Sequence, residues 1–314
     1  MIARSSWKTL LAFAIIYFVW GSTFLAIRIG VKEIPPFLFA AIRFVIAGLA
    51  LYLWMIFRGE RSPPLREWWS VIVLAVLIFV LDYGLLFWAE QRVPSGMAAV
   101  MMATIPLFMA LSEILFLRTQ KLTLRLVLAL VVGILGVAIL TNRSLHLGGA
   151  PIDRVGAAAL LIASVSLSIS SALTRKLPLP ESKVMNSGAQ MLAGGLLLTA
   201  TAAAMGEFGR FHISAISTRA WFALAYLIVA GSIIAYTAYV WLLYHESPTK
   251  VGTYAYVNPV IAVLLGYFAG DEDLGMRTAL GTCCVLISVV LITTGRAKKA
   301  VAVAAESAPV QDTR

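Results

Sequence analysis

The sequence predicts an all-α integral membrane fold, ten transmembrane helices arranged as two inverted five-helix repeats. Three observations predict it. First, the 314 residues are 61% hydrophobic and only 13% charged, where a soluble domain carries about 25% charged residues. A soluble chain has nowhere to put that excess, whereas a bilayer accepts apolar side chains on outward faces as well. Second, the chain divides into ten apolar runs, each near the ~20 residues needed to cross a ~30 Å hydrocarbon core. Third, a proline-marked pattern recurs half a chain apart.

The runs follow in order: Leu10 to Ile29, Pro36 to Phe57, Trp69 to Trp88, Ser95 to Leu117, Leu124 to Thr141, Val155 to Leu173, Asn186 to Met205, Trp221 to Leu243, Val251 to Phe268 and Thr278 to Thr294. Short punctuated connections separate them, at Pro35-Pro36, Pro63-Pro64, Pro94, Gly148-Gly149, Pro178 with Pro180, and Pro248. The first run is too long for a cleaved signal peptide and has no A-x-A site, so it reads as a first span. The tail from Arg296 to Arg314 is small, polar and Ala-rich and is expected to be disordered.

In the first half, Val93-Pro94-Ser95-Gly96 leads to Thr104-Ile105-Pro106; in the second, Ser247-Pro248-Thr249-Lys250 leads to Val257-Asn258-Pro259. Each helix opens after one proline and meets another about three turns later. Five spans per half is odd, so the second half enters from the opposite side, an arrangement found in secondary transporters. The halves are residues 1–148 and 149–295, followed by the tail 296–314. With the N-terminus inside, 16 Lys and Arg fall on the inner side and 8 on the outer. That bias places both termini in the cytoplasm. It also absorbs the net charge of +10: the basic residues flank apolar runs beside anionic headgroups and form no aromatic-interleaved stripe for nucleic acid.

Several segments carry a family resemblance. Trp20-Gly21-Ser22-Thr23-Phe24, Arg28-Ile29-Gly30, Pro35-Pro36, Arg43-Phe44 and Ala47-Gly48 resemble the first two helices of EamA-type members of the drug/metabolite transporter superfamily. Val93 to Ala99 leading to Pro106 is similar too, as is Ser247-Pro248 through Tyr254-Ala255-Tyr256-Val257-Asn258-Pro259-Val260 to Gly270-Asp271-Glu272. The resemblance covers nearly the whole chain up to the tail. It implies that the two repeats surround a central cavity, and that the protein exports amino acids or similar metabolites across a bacterial inner membrane by alternating access. Two places depart from the family's habit. Leu117-Arg118-Thr119 stands where Gly-Glu is common, and Ser164-Val165-Ser166-Leu167-Ser168 stands where an aromatic is common. The second departure implies a smoother, more polar cavity wall on that side.

Candidate site residues follow from charge and shape at depth. Arg43 lies about 12 Å of helix beyond Pro35, where a cation costs roughly 2.5–3.5 kcal/mol. It reads as a contact for a substrate carboxylate, or as a structural tie to helix-end carbonyls or headgroups. Asp82 is a mid-span carboxylate beside Tyr83; it reads as a contact for a substrate amine or a proton, or as an ion-pair partner of Arg43. Glu113 reads as an interfacial packing acid, and Glu90-Gln91 as a gate or loop tie. Pro106 and Pro259 fall about 17 Å into their helices and free the carbonyls of Met102 and Ala255, which makes them candidate hinges. Asn258 adds a buried amide beside the second proline. Tyr17 with Trp20, and Tyr236 with Tyr239, share helix faces three residues apart. With Tyr83, Tyr254 and Tyr256 they form candidate aromatic walls. Met101 and Met102 offer adaptable packing, Gln190 a hydrogen-bonding amide, and Gly194-Gly195 close helix contact.

Enzyme signatures are not expected. His146, His212 and His245 are not at metal spacing, adjacent Cys283 and Cys284 point apart on a helix, and no Walker loop, GxSxG or HExxH is present. No cofactor or nucleic-acid partner is expected; the partners are a small-molecule substrate and membrane lipids. The sequence reading is therefore an amino-acid exporter of broad tolerance, including aromatic and neutral aliphatic side chains. Export of cationic drugs, exchange of sugar phosphates or nucleotide sugars, and a non-transporting scaffold or enzyme remain as alternatives.

Overall fold

The computed structural model describes residues 7–112, 114, 123–141, 153–174, 176–245, 254–272, 275–288 and 290–291. Glu113, the connection at Gly148-Gly149, Pro248 and the tail 296–314 lie outside the described residues. Among the described residues each of the ten apolar runs contains a helix, and no strand occurs. They are α1 (Trp7–Val31), α2 (Pro36–Phe57), α3 (Leu65–Ala89), α4 (Ser95–Met102 and Ile105–Ser112), α5 (Leu124–Thr141), α6 (Arg154–Thr174), α7 (Lys183–Ala204), α8 (Thr218–Tyr226 continuing to His245), α9 (Tyr254–Ala269) and α10 (Met276–Ser288).

Local chemistry sets the ends. Pro35, Pro64 and Pro94 stand at the starts of α2, α3 and α4, where the ring's fixed φ favours entry but no side chain caps the first turn. Helix α3 starts at Leu65, earlier than the apolar run, because the polar first turn of Arg66 and Glu67 belongs to the helix outside the hydrocarbon. Ser182 and Ser217 cap α7 and α8 by accepting from Met185 N at 3.3 Å and Ala220 N at 3.2 Å. Helix α7 stops at Gly206, whose φ of +66° reverses the chain.

Two helices contain a stretch of π-helix, Val76–Gly84 in α3 and Leu227–Ile234 in α8. They are third helices of their respective halves and occupy matching places. The packing repeats in the same way. Helix α1 packs on α9 as α6 packs on α4, and α3 packs on α6 as α8 packs on α1. Helices α2 and α7 pack on each other, as do α4 and α9. Gly133 and Gly136 of α5 meet Ser288 and Cys284 of α10. Exchanging the two halves maps this pattern onto itself, as an inverted repeat requires. The outer faces carry apolar residues such as Phe18, Leu128, Phe222 and Phe268, and lipid accepts them.

The α2–α7 contact is backbone on backbone. A Cβ at Gly48 would lie 2.4 Å from Leu192 N, one at Gly195 2.6 Å from Val45 N, and one at Gly188 2.8 Å from Tyr52 N. Between helices in lipid, such close approach gains van der Waals contact where the hydrophobic effect supplies none. Replacing Gly48 or Gly195 with valine is expected to cost at least about 1–3 kcal/mol, the usual penalty for overpacking. The measurement is thermal unfolding in detergent. Gly209→Ala, at a position with nothing within 4 Å of the new Cβ, is expected to unfold like the wild type.

Candidate functional site

Irregular backbone and buried charge coincide in the middle of the bundle. Arg43 on α2 is 3% exposed. Its Nε donates to Ser232 Oγ, 2.9 Å away in the π turn of α8. Its guanidinium carbon lies 4.7 Å from the Phe44 ring centroid, 5.5 Å from Tyr83 and 5.9 Å from Phe87, within the range at which ring faces attract a cation. Its Nη1 has no hydrogen-bond partner. Gly231 makes room, since a Cβ there would sit 3.3 Å from Nη2. The Gly231 carbonyl accepts from the Trp20 indole at 3.1 Å, which joins α1 to the same turn.

Asp82 lies in the other π turn, that of α3, and is 2% exposed with Oδ1 unpartnered. Among the described residues no ion pair joins it to Arg43. Two buried ionisable groups, one basic and one acidic, thus each keep an unused polar atom. A buried polar group normally has its partners, and π turns are found at functional positions.

Aromatic rings complete the surroundings. Trp20 lies 5.1 Å from Tyr254 and 5.2 Å from Tyr239, with Tyr239 6.2 Å from both Tyr254 and Tyr236. Tyr254 is within electrostatic reach of Asp82 and Tyr83, and Tyr83 packs on Phe44 at 4.8 Å. Tyr236 shares a hydrogen bond with Ser187 of α7. In the orientation that suits its neighbours, the Asn258 amide donates to the carbonyls of Tyr254 and Tyr17, each at 3.2 Å. Tyr17 itself packs at a tilt against Phe13, with centroids 5.6 Å apart.

The remaining candidates lie elsewhere in the packing. Met101 is fully buried, and the Met102 sulfur accepts from Ser164 at 3.6 Å. Gln190 donates to Asn186 of its own helix at 2.8 Å. Helix α4 breaks at Ala103-Thr104, directly before the turn that holds Pro106, whereas Pro259 sits inside an unbroken α9. The Tyr256 side chain is outside the described residues. Ser232 is a polar partner that sequence reasoning missed, and its one signal was its place opposite Asp82 in the repeat.

The serine stripe of α6 behaves differently from the expected polar wall. Ser164, Ser166 and Ser168 are at most 5% exposed. Ser166 donates to the Leu77 carbonyl in the π turn of α3 at 2.8 Å, and Ser168 to the Ile105 carbonyl of α4 at 3.2 Å. These hydroxyls satisfy carbonyls that irregular helices leave free.

At one end of the bundle, carboxylates from one half cap helices of the other. Glu207, directly after Gly206, accepts from Leu38 N of α2 at 2.8 Å. Glu272 accepts from Ser95 N at 2.6 Å, Ser95 Oγ at 2.7 Å and Gly96 N at 3.0 Å of α4. Glu33 accepts from Ser217 N at 2.6 Å and Ser217 Oγ at 2.7 Å at the start of α8. The backbone and hydroxyl bonds from Ser217 lower the pKa of Glu33, whereas burial raises that of Glu207. Arg28 donates to the Glu90 carbonyl and Gln91 to the Val31 carbonyl. At the opposite end a cleft of about 310 Å³ opens among residues 59–64, Glu67, residues 180–182 and Met185.

Ser232→Ala leaves a second guanidinium nitrogen of Arg43 unpaired. A loss of about 1.5–3 kcal/mol is expected, the value of a bond to a charged group. Thr237→Ala removes an exposed hydroxyl bonded only within its own helix and is expected to cost under about 0.5 kcal/mol. Chemical or thermal unfolding of the two variants distinguishes them.

Comparison with known proteins agrees with this architecture. The EamA-like transporter family matches the chain twice, over residues 7–142 and 154–294. The inner membrane transporter YedA of Escherichia coli (strain K12) is 37% identical over 284 residues, covering 90% of this chain and 89% of YedA. Protein PecM of Dickeya dadantii (strain 3937) is 26% identical, covering 87% of this chain and 88% of PecM. One solved crystal structure superposes with a TM-score of 0.60 at 24% identity, covering 93% of this chain and 98% of that one. With ten apolar helices in two inverted repeats and this match over both halves, the chain belongs to the EamA-like transporter family: it is a multi-pass inner-membrane transporter and not an enzyme.

Proposed function

We propose that this transporter exports amino acids of broad side-chain type, aromatic and neutral aliphatic included, by alternating access. The observation that carries the reading is the pair of unused buried polar atoms, Arg43 Nη1 and Asp82 Oδ1, beside a group of aromatic rings. A zwitterion presents one carboxylate and one ammonium. Arg43 offers a directional donor for the first, and Asp82, or the carbonyl oxygen of Asn258, an acceptor for the second. Trp20, Tyr83, Tyr236, Tyr239 and Tyr254 offer flat apolar walls to the side chain; Tyr17 meets the Asn258 amide through its carbonyl, and Met101, Met102 and Gln190 belong to the wider packing. Both termini face the cytoplasm, in keeping with the 16 to 8 bias of Lys and Arg. The tied end with Glu207 and Glu272 then faces outward and the cleft faces the cytoplasm. Pro106, beside the break at Ala103-Thr104, and its repeat counterpart Pro259, inside the continuous α9, are assigned as hinge positions between residues 1–148 and 149–295.

Counterflow of labelled phenylalanine, threonine and methionine into liposomes holding the purified protein tests this, with and without a pH gradient. Flux above empty liposomes is expected for all three. Arg43→Ala and Asp82→Asn are each expected to reduce it at least tenfold; normal flux in both variants removes the binding scheme while leaving the transporter class. An acid among aromatic rings also suits a cationic drug, and that second reading rests on Asp82 with Tyr83 and Tyr254. Ethidium efflux that depends on Asp82 but not on Arg43, with no amino-acid flux, decides in its favour.

A further inference from the structure

Glu90 follows the last turn of α3, and the side chain has no role in the scheme above. It is fully buried, and neither carboxylate oxygen has a hydrogen-bond partner. The nearby cation, Arg28 of α1, donates to the backbone carbonyl of Glu90 rather than to its carboxylate. The charged group facing it from the connection after α9 is Glu272, whose two oxygens are taken up by Ser95 and Gly96 at the start of α4. Arg92, on the same turn as Glu90, stacks instead on Trp88 at 4.0 Å. A second carboxyl group is therefore buried beneath an anion that is fully engaged.

The position of Glu272 is built, not incidental. Asp271 takes a φ of +53°, a left-handed conformation that Asp tolerates better than most residues. Gly266 leaves space for the carboxylate, since a Cβ there would lie 2.4 Å from Glu272 Oε2. Proline 94 gives α4 no cap of its own, so Glu272 is the group that satisfies its first amides.

We propose that Glu90 is a proton-binding site that latches this end of the transporter, neutral and buried while Glu272 caps α4, and ionised once the cap parts and water reaches it. The proposal rests on alternating access only in requiring that these ties part; it does not depend on the solute. An ionised carboxylate cannot remain buried without partners at acceptable cost. The tied conformation is the one that holds the proton. Burial foremost, then Glu272, holds the Glu90 pKa well above the usual carboxylate range, against an opposing effect of Arg28. In the open conformation water reaches the carboxyl group and the burial that raises its pKa is removed. Closing therefore takes up one proton from the water at this end and opening returns it. Because the tied conformation has the raised pKa, it is favoured most at acid pH, where Glu90 is protonated in both conformations, and loses up to tenfold in population per pH unit as pH rises toward the raised value.

Hydrogen exchange of the whole protein in lipid nanodiscs tests this at the amides of Ser95 and Gly96, with rates corrected for intrinsic chemistry. No solute is added, so failure here and failure of amino-acid flux are separate results. The wild type is expected to lose protection at these amides tenfold or more between pH 5 and pH 8. Glu90→Gln, or Glu90→Met should the first not assemble, is expected to stay protected at both. Equal protection of the wild type at the two pH values overturns the proposal. So does a loss of protection that persists in the neutral variant, because that assigns the response to another group.

Discussion

Nothing larger than a backbone separates α2 from α7. Gly48, Gly188 and Gly195 bring the second helices of the two halves to distances that no Cβ would permit, and the remaining helices are arranged about that seam. Because the same helix from each half lies on each side of it, the partners of α2 and those of α7 fall in related positions, and the whole packing pattern inherits the exchange symmetry. A seam of this kind resists widening. Sliding or rotation along the seam keeps the van der Waals contact that separation forfeits.

The ends and the middle are built from different chemistry. In the middle, two stretches of π-helix break the regular hydrogen-bond ladder, one bearing Asp82 and the other Ser232. Lipid cannot satisfy a freed carbonyl, so neighbours must. Ser166 of α6 does so for Leu77, and the Trp20 indole does so for Gly231. At these two turns the side-chain atoms left without a partner are Nη1 of Arg43, whose Nε meets Ser232, and Asp82 Oδ1, the groups to which the proposed solute is assigned. At the tied end, the side-chain carboxylates of Glu33, Glu207 and Glu272 take the place of water at helix starts, aided by the favourable field of the helix N-terminus.

Much of this was legible in the sequence, for identifiable reasons. Each helix announced itself because a bilayer demands a long apolar run, and the repeat was visible because proline and asparagine are conspicuous inside such runs. Arg43 and Asp82 stood out for the same reason: ionisable residues are rare at that depth. Ser232 did not, since serine is common in membrane helices and its importance comes only from the arginine opposite it. The π stretches leave no mark in composition, because the same residues form regular helix elsewhere. The serines of α6 were visible as a cluster but their direction was not. Ser166 and Ser168 face carbonyls of α3 and α4, which only the packing reveals. Glu207 and Glu272 were plain as loop acids, yet the helices they cap lie far away in sequence, and no local pattern links them.

The caps at the tied end also bear on how the protein is made. Helices α2 and α4 leave the ribosome with prolines at their starts and no side chain for their first amides. The carboxylates that complete them, Glu207 and Glu272, are encoded in the second half. The first half therefore enters the membrane with these helix starts exposed to interfacial water, and they are sealed only as the later connections are synthesised. Growing chains commonly settle their N-terminal portion first. At this end the caps of α2 and α4 cannot form until residues 207 and 272 have been translated and have left the ribosome.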